Sequence, residues 1–565
     1  MSNRDLPIGK SPILSRWLLS GLLLIFTLIW FSNIEERKLF RPDEGRYAEI
    51  AREMAVSGDW ITPRLNGLKY FEKPPLQYWA TAAAFKLFGE HHWTVRWWPT
   101  TTTFFSVLLM FWAGRRLYGE AVGLAAAAAL GGCTWFILNG HFNALDAGLT
   151  ALLTLALLSF LMAQRPDATP LVNRNWMLTV WAALALAVLS KGLIGLVLPG
   201  AVLAIYLVVE RDWRMLTRLH LGQGLALLLV IAAPWFIAVS WRNEEFARFF
   251  FIHEHAARFL TPAHQREGSW WYFIPILLLG ALPWTPFMAM RLRAGWRREG
   301  ERGTLQPLRL ALIWTGFIVL FFSVSHSKLP SYIMPVFPAL ALFAGVQMLR
   351  MEGALLSRVA WSLAVISGAL LLIILLGGQY LAHLFSSDSS PFGIVRNATP
   401  WLLASIATFT AGASAAAGLF QRQHVLAGII TLALGSLSAG ILALNGHDQL
   451  SRLYSAYHIV REIEAEQGRF DRNAPFYSIE MHDQTLPFYL KRPVTLVQYV
   501  NEFALGLQAE PDKGVPRVED WIVRWRDHTA GYAIMTPGNY QRLVAENLPM
   551  RVLARDPRRV IVSRR

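Results

Sequence analysis

The sequence predicts an all-α polytopic membrane domain followed by a small α/β domain, and three observations carry this. The 565-residue chain is 54% hydrophobic and only 16% charged, where a soluble chain carries about 25% charge. Its apolar residues come in long runs: 14–32 holds one charge, Arg16, and 180–190 and 192–209 are separated by the single Lys191. Such runs are membrane spans, and spans are helical because lipid offers no partner to a free N–H or C=O. After residue 443 the pattern changes to short apolar runs alternating with amphipathic stretches, the signature of an α/β unit.

Spans are expected near 14–32, 97–113, 119–138, 147–163, 176–190, 192–209, 223–241, 271–290, 309–325, 331–349, 360–385, 400–418 and 424–443, about thirteen in all. Basic residues set their orientation. With the N-terminus inside, the inner loops carry Arg115 and Arg116, then Arg165 and Arg174, then Arg211, Arg214 and Arg218, then a run of arginines from Arg291 to Arg309. The short outer loop 139–146 has no Lys or Arg. The stretch 75–89 is short and holds Lys86, so it reads as a juxtamembrane or re-entrant helix. Arg4, Lys10 and Arg16 precede the first span without a small-residue cleavage site, which reads as an uncleaved anchor. The single Cys133 excludes an intrachain disulfide.

The expected organisation is thus a membrane domain over 1–443, with long outer loops at 33–96 and 242–270, and an outer α/β domain over 444–565. Within the latter, strands are expected at 476–479, 494–497, 532–535 and 560–562, with helices at 484–490, 517–526 and 539–547.

Candidate chemistry gathers in the outer loops. In the first, Tyr47, Ile50, Ala51 and Met54 share a helical face, which predicts an amphipathic helix lying on the bilayer. Asp43 and Glu44 start it, either as dipole-favoured caps or as carboxylates facing a cavity at the membrane surface. Downstream, Glu72 and Lys73 precede the rigid Pro74-Pro75 pair; Lys73 either holds a substrate phosphate or snorkels to ordinary headgroups. Asp146 is either the N-cap of the fourth span or a second cavity carboxylate. In the second long loop, His253 and His255 stand two apart and share no helical face, so alone they make no metal motif. Glu72 with His253 is the candidate pair for a divalent metal such as zinc, and Arg258 is a natural bidentate phosphate ligand. Lys328 and Tyr332 lie at the interface in the turn His326-Ser327-Lys328-Leu329-Pro330-Ser331-Tyr332. No Walker A sequence, dinucleotide fingerprint or Cys-based metal site is present, which argues against nucleotide-driven chemistry, and no nucleic-acid partner is expected.

The acidic start at Asp43-Glu44, the Tyr70-Phe71-Glu72-Lys73-Pro74-Pro75-Leu76 segment, the second outer Asp146 and the His-Ser-Lys-Leu-Pro-Ser-Tyr turn together resemble the GT-C glycosyltransferases. More closely they resemble the bacterial lipid A aminoarabinose transferases, relatives of the protein O-mannosyltransferases. The resemblance spans nearly the whole chain. It implies a multi-pass enzyme of the bacterial inner membrane with a periplasm-facing site. Its donor would be undecaprenyl-phosphate-linked 4-amino-4-deoxy-L-arabinose, its acceptor a lipid A phosphate, and its consequence resistance to polymyxin and other cationic peptides. The resemblance makes Asp43, Asp146 and Glu44 the candidate catalytic carboxylates. Lys73, Arg258, Tyr332 and Lys328 become candidate ligands of the carrier phosphate, and Glu72 and His253 a metal pair, with no cofactor required for activity. Two rivals stand beside this reading. One is a sister transferase acting on protein or another glycan. The other is a lipid transporter, disfavoured because the ionisable groups gather outside the midplane.

Overall fold

The computed structural model describes residues 15–257, 268–300, 303–384, 386–387 and 391–564; of residues 253–257 and 381 only the backbone is described. Helices dominate up to Asp448. Seven helices among the described residues are long and apolar enough to cross a membrane, eight if a bent pair is one span. That pair, Glu120–Gly131 and Thr134–Gly140, turns by 62° at Gly132, where an added Cβ would lie 2.7 Å from the Cα of Ala433. Arg16–Trp30, Ile194–Glu210 and Val336–Met348 are shorter apolar helices. The expected span over 271–290 is broken into Phe273–Gly280 and Thr285–Ala289, because Pro283 and Pro286 each lack a backbone donor. Gly353–Leu384, Phe392–Gln421 and Val425–Asp448 pack as successive neighbours. Gly412 and Gly435 bring the last two within backbone contact, the small-residue packing typical of helices in lipid.

The first outer loop folds as helix Asp43–Ser57, a hairpin of β1 (Arg64–Leu65) and β2 (Leu68–Lys69), and helix Leu76–Phe88. The expectation that the first of these lies on the bilayer is corrected here. Residues 44–52, Met54 and Ala55 are all buried. One face packs on Leu76–Phe88 and another on Leu486–Leu490 of the C-terminal region. The apolar stripe was real, but protein covers it, and the buried charges on its other side are paired.

In the C-terminal region β3 (Phe476–Ile479), β4 (Thr495–Val497), β5 (Gly514–Val515), β6 (Tyr532–Met535), β7 (Arg551–Arg555) and β8 (Val560–Ser563) form one sheet. Its order is β5-β4-β3-β6-β8-β7. β3 runs parallel to β4 and β6, and β8 runs antiparallel to β6 and β7. The strand at 476–479 is buried throughout, and those at 495–497 and 532–535 are buried at every position but the first, as helix-covered parallel strands are.

The C-terminal region clasps the first loop. Asn66 and Val494 exchange two hydrogen bonds of 2.7 Å, Arg64 pairs with Glu510 at 2.9 Å, and Tyr489 Oη accepts from Leu39 N–H at 2.9 Å. The second long loop docks on the same hairpin through Lys69 and Glu245 at 2.6 Å and through Phe71 edge-on to Phe246.

Candidate active site

Helix Asp43–Ser57 has Pro42 at its N-cap and no side-chain cap of the usual kind. Glu44 satisfies the chain instead, through four donors. Its Oε1 accepts from Arg96 Nε at 2.7 Å and Asn143 N–H at 3.1 Å. Its Oε2 accepts from Arg96 Nη2 at 2.9 Å and Phe40 N–H at 3.0 Å. Arg96 spends its remaining donors on the carbonyls of Ile34, Arg37 and Lys38. Burial alone raises the Glu44 carboxyl, but the Arg96 guanidinium outweighs it and holds the group below its ordinary pKa. Glu44, grouped with the catalytic carboxylates on sequence, is therefore turned inward, with both oxygens occupied. It fixes the loop that presents its neighbour.

That neighbour, Asp43, is 43% exposed and pairs with Arg46 at 3.3 Å. The other end of Arg46 meets Glu502 of the C-terminal region at 3.5 Å, and Glu502 accepts from Gln484 at 2.9 Å. Burial opposes the charge on Arg46, yet Tyr70, Asp43, Tyr47 and Glu72 around it win and push its pKa well above the ordinary value. Arg46 thus pairs directly with Asp43 and Glu502, with Glu72 acting on it through its field. Close seating of the C-terminal region depends on Gly45, where a Cβ would fall 2.6 Å from the carbonyl oxygen of Gln484.

Asp146 lies in the first turn of helix Leu145–Ala163, whose N-cap is Ala144; the capping reading is thereby set aside. Its carboxylate accepts from Lys191 and, at 2.8 Å, from the hydroxyl of Ser331. The Lys191 ammonium also stands 4.6 Å from the ring centre of Tyr332. Lys328 is buried and donates to the carbonyl of Ser325 at 2.8 Å, so Lys191 rather than Lys328 is the cation on Tyr332.

Lys73 donates to the carbonyl of Glu72 at 2.7 Å. Around it, Phe71 and Leu76 join the apolar cluster of Val188 and Leu189, one turn before Lys191. Gln77 donates to Asn143 at 2.7 Å, the residue whose N–H reaches Glu44. Glu44, Asn143 and Gln77 therefore knot together the three segments that carry Asp43, Lys73 and Asp146. Arg258 lies outside the described residues, and the side chain of His253 is likewise not described.

The sequence marks Lys191 only as the lone charge between two apolar runs and singles out none of Arg46, Arg96, Ser331 and Glu502. The lone lysine between two apolar runs was a usable signal. The others owe their places to contacts across tens or hundreds of residues.

Two family models match the chain: the dolichyl-phosphate-mannose-protein mannosyltransferase family over 15–250 and the aminoarabinose transferase C-terminal domain over 460–564. Among solved structures, ArnT from Cupriavidus metallidurans bound to undecaprenyl phosphate is 36% identical, with a TM-score of 0.91 over 98% of this chain and 99% of that one. The chain belongs to the aminoarabinose transferase family. Curated arabinosyl transferases from Edwardsiella ictaluri and Pseudomonas paraeruginosa are 35% and 36% identical, aligned over 59% and 61% of their own lengths. An oligosaccharyltransferase from Archaeoglobus fulgidus, 13% identical with a TM-score of 0.50 over 92% of this chain and 70% of that one, shares the fold alone. The chain is accordingly a multi-pass inner-membrane protein of GT-C fold. Its C-terminal sheet lies in the segment that matches the family's own C-terminal domain.

Among the described residues no cluster of three or more His, Cys, Asp or Glu side chains could hold a metal ion. Glu72 stands in the field of Arg46.

Proposed function

We propose that this protein transfers 4-amino-4-deoxy-L-arabinose from undecaprenyl phosphate to a phosphate of lipid A, at a site facing the periplasm. The observation that carries the reading is the near full-length match, at 36% identity, to an aminoarabinose transferase solved with undecaprenyl phosphate. The convergence of Asp43, Lys73 and Asp146 through the Glu44, Asn143 and Gln77 knot supports it.

The chemistry follows from the groups present. An oxygen of the acceptor phosphate attacks the anomeric carbon, and the bond from that carbon to the carrier phosphate breaks with its electron pair leaving on the phosphate. A phosphate is a good leaving group, so no strong general acid is required. The acceptor is already anionic, so no proton need be removed. Negative charge grows on the departing phosphate, and fixed cations in a partly dry site stabilise that growth. Lys73 fills this role, with Arg258 from the second long loop and with Lys191 held in place by Asp146 and Tyr332. Asp43 orients the acceptor or supports positive charge on the sugar ring, and Arg46 holds it in position. A single displacement inverts the anomeric centre. Glu72 and His253 stand as the proposed pair for a divalent metal such as zinc, and no step is routed through it.

The match to the mannosyltransferase family over 15–250 favours a second reading, transfer to a protein hydroxyl. A hydroxyl must lose its proton, so Asp43→Asn would then abolish transfer, whereas a phosphate acceptor leaves measurable activity. The test of the primary reading is release of undecaprenyl phosphate by purified protein in liposomes. Release is expected only when lipid A is present. Release that depends instead on a hydroxyl-bearing peptide rejects the assignment.

A further inference from the structure

The carboxyl ends of the parallel strands meet the membrane domain in a crevice of about 540 Å³. From β3 the chain winds to β4 and β5 on one side, then returns to the opposite side at β6. The gap between β3 and β6 is therefore the topological switch point, the place where open α/β sheets bind ligands. His482 follows β3 there, Tyr499 follows β4, and Thr536 follows β6. Arg41 closes the crevice from the membrane side and Arg558 from the turn before β8.

The charges in this crevice do not cancel. Asp483 is bound by Arg559 at 2.7 Å, and Arg559 also holds Asp556. Glu480 is bound by Arg542. Among the described residues neither Arg41 nor Arg558 makes a direct ion pair with a carboxylate, and Arg41 shares only the field of Asp483, which Arg559 already holds. Both lean on the ring of Tyr454, at 5.8 and 4.6 Å from its centre. Buried polar groups are ordinarily partnered, yet Arg558 Nε and both ring nitrogens of His482 are buried with no partner among the described residues. Helix Pro537–Ala545, capped by Thr536, starts at the same wall and adds the positive end of its dipole. Two guanidiniums, a helix start and an aromatic wall are the recognition chemistry of a phosphorylated sugar.

We propose that this crevice binds a phosphorylated sugar headgroup through Arg41 and Arg558, and that the headgroup is part of the acceptor. The second half of the proposal rests on the transferase reading above. Arg41 stands two residues before Asp43, at most roughly 7 Å of extended chain, so one lipid headgroup spans both. The C-terminal region then acts as the acceptor's docking platform, which accounts for its tight clasp on the first loop.

The test titrates the full-length protein with glucosamine 1-phosphate and, separately, with inorganic phosphate, for wild type, Arg41→Gln/Arg558→Gln and Arg41→Lys/Arg558→Lys. Acceptor and donor KM are measured on the same samples. Saturable binding of the sugar phosphate, lost in the glutamine variant and partly restored in the lysine variant, is expected. The acceptor KM should rise on the order of tenfold or more with donor KM unchanged, since each guanidinium contact is charge-assisted. No binding by wild type, or equal binding by wild type and the glutamine variant, overturns the site. Binding of both probes with an unchanged acceptor KM overturns the assignment to the acceptor. Absence of transfer by wild type rejects the transferase reading alone, because the titration still decides the site.

Discussion

Replacement of Glu44 by Gln isolates the contact that organises the site. Each Glu44 oxygen accepts two N–H donors, one from Arg96 and one from the backbone. A glutamine matches the shape, but its amide nitrogen must face two donors whichever way it turns. The guanidinium of Arg96 also loses its counter-charge. The two side chains are 0% and 3% exposed, so solvent screens neither, and breaking such a pair costs about 3–5 kcal/mol. Glu44 sits below its ordinary pKa in the fold, so its contribution is complete above that ordinary value and is lost as pH falls through the folded value. The deficit of Glu44→Gln should therefore be largest at neutral pH and shrink in acid. The double variant Glu44→Leu/Arg96→Met removes the uncompensated charge. It still leaves the N–H groups of Phe40 and Asn143 and three carbonyls without partners, so it should recover only part of the loss. Unfolding of the purified protein followed by tryptophan fluorescence reads both effects, with transfer measured in parallel. A Glu44→Gln protein with wild-type midpoint and wild-type transfer would refute the reasoning.

Lys73→Ala should lower the transfer rate by roughly a hundredfold to a thousandfold, measured as single-turnover sugar transfer; an unchanged rate removes Lys73 from the leaving-group role. Asp146→Asn frees Lys191 from its charged partner, and single-turnover transfer should fall roughly tenfold to a hundredfold. Loss of activity in Asp146→Asn with full activity in Lys191→Met would reject the pairing. Burial lowers the His482 pKa to about 4, so the fold favours the neutral ring. Stability should be full above about pH 6.5 and decline by a few kcal/mol as pH falls toward that lowered value. His482→Phe keeps the packing on Phe503, whose ring lies edge-on at 4.8 Å, and should flatten this decline in the unfolding midpoint.

The helical membrane domain was legible because lipid forces long apolar runs into helices, and such runs survive any detail of packing. The strands over 476–479, 495–497, 532–535 and 560–563 were legible as short apolar runs buried in the sheet. β7 was not, because Arg551–Arg555 is an edge strand with charged ends, and only Leu553 and Ala554 are buried. Helix Asp43–Ser57 was recognised as a helix but misplaced. Its apolar stripe looks the same whether lipid or protein covers it, and its cover comes from Leu76–Phe88 of the same loop and from Leu486–Leu490, hundreds of positions along the chain. Asp43, Lys73 and Asp146 stood out as charges flanking apolar or proline-rich segments. Their partners did not. The pairing of Asp146 with Lys191 crosses a whole helical hairpin, and that of Arg46 with Glu502 crosses nearly the entire chain. The inward turn of Glu44 could not be read from Asp43-Glu44 either, since Arg96 stands at the start of a different helix.

The most direct measurement is the mass of lipid A after incubation with purified protein and undecaprenyl-phosphate-linked aminoarabinose. The account predicts the gain of one aminopentose per modified phosphate with wild type and a strongly slowed gain with Lys73→Ala. Lipid A of unchanged mass, from protein that binds the donor, would contradict it.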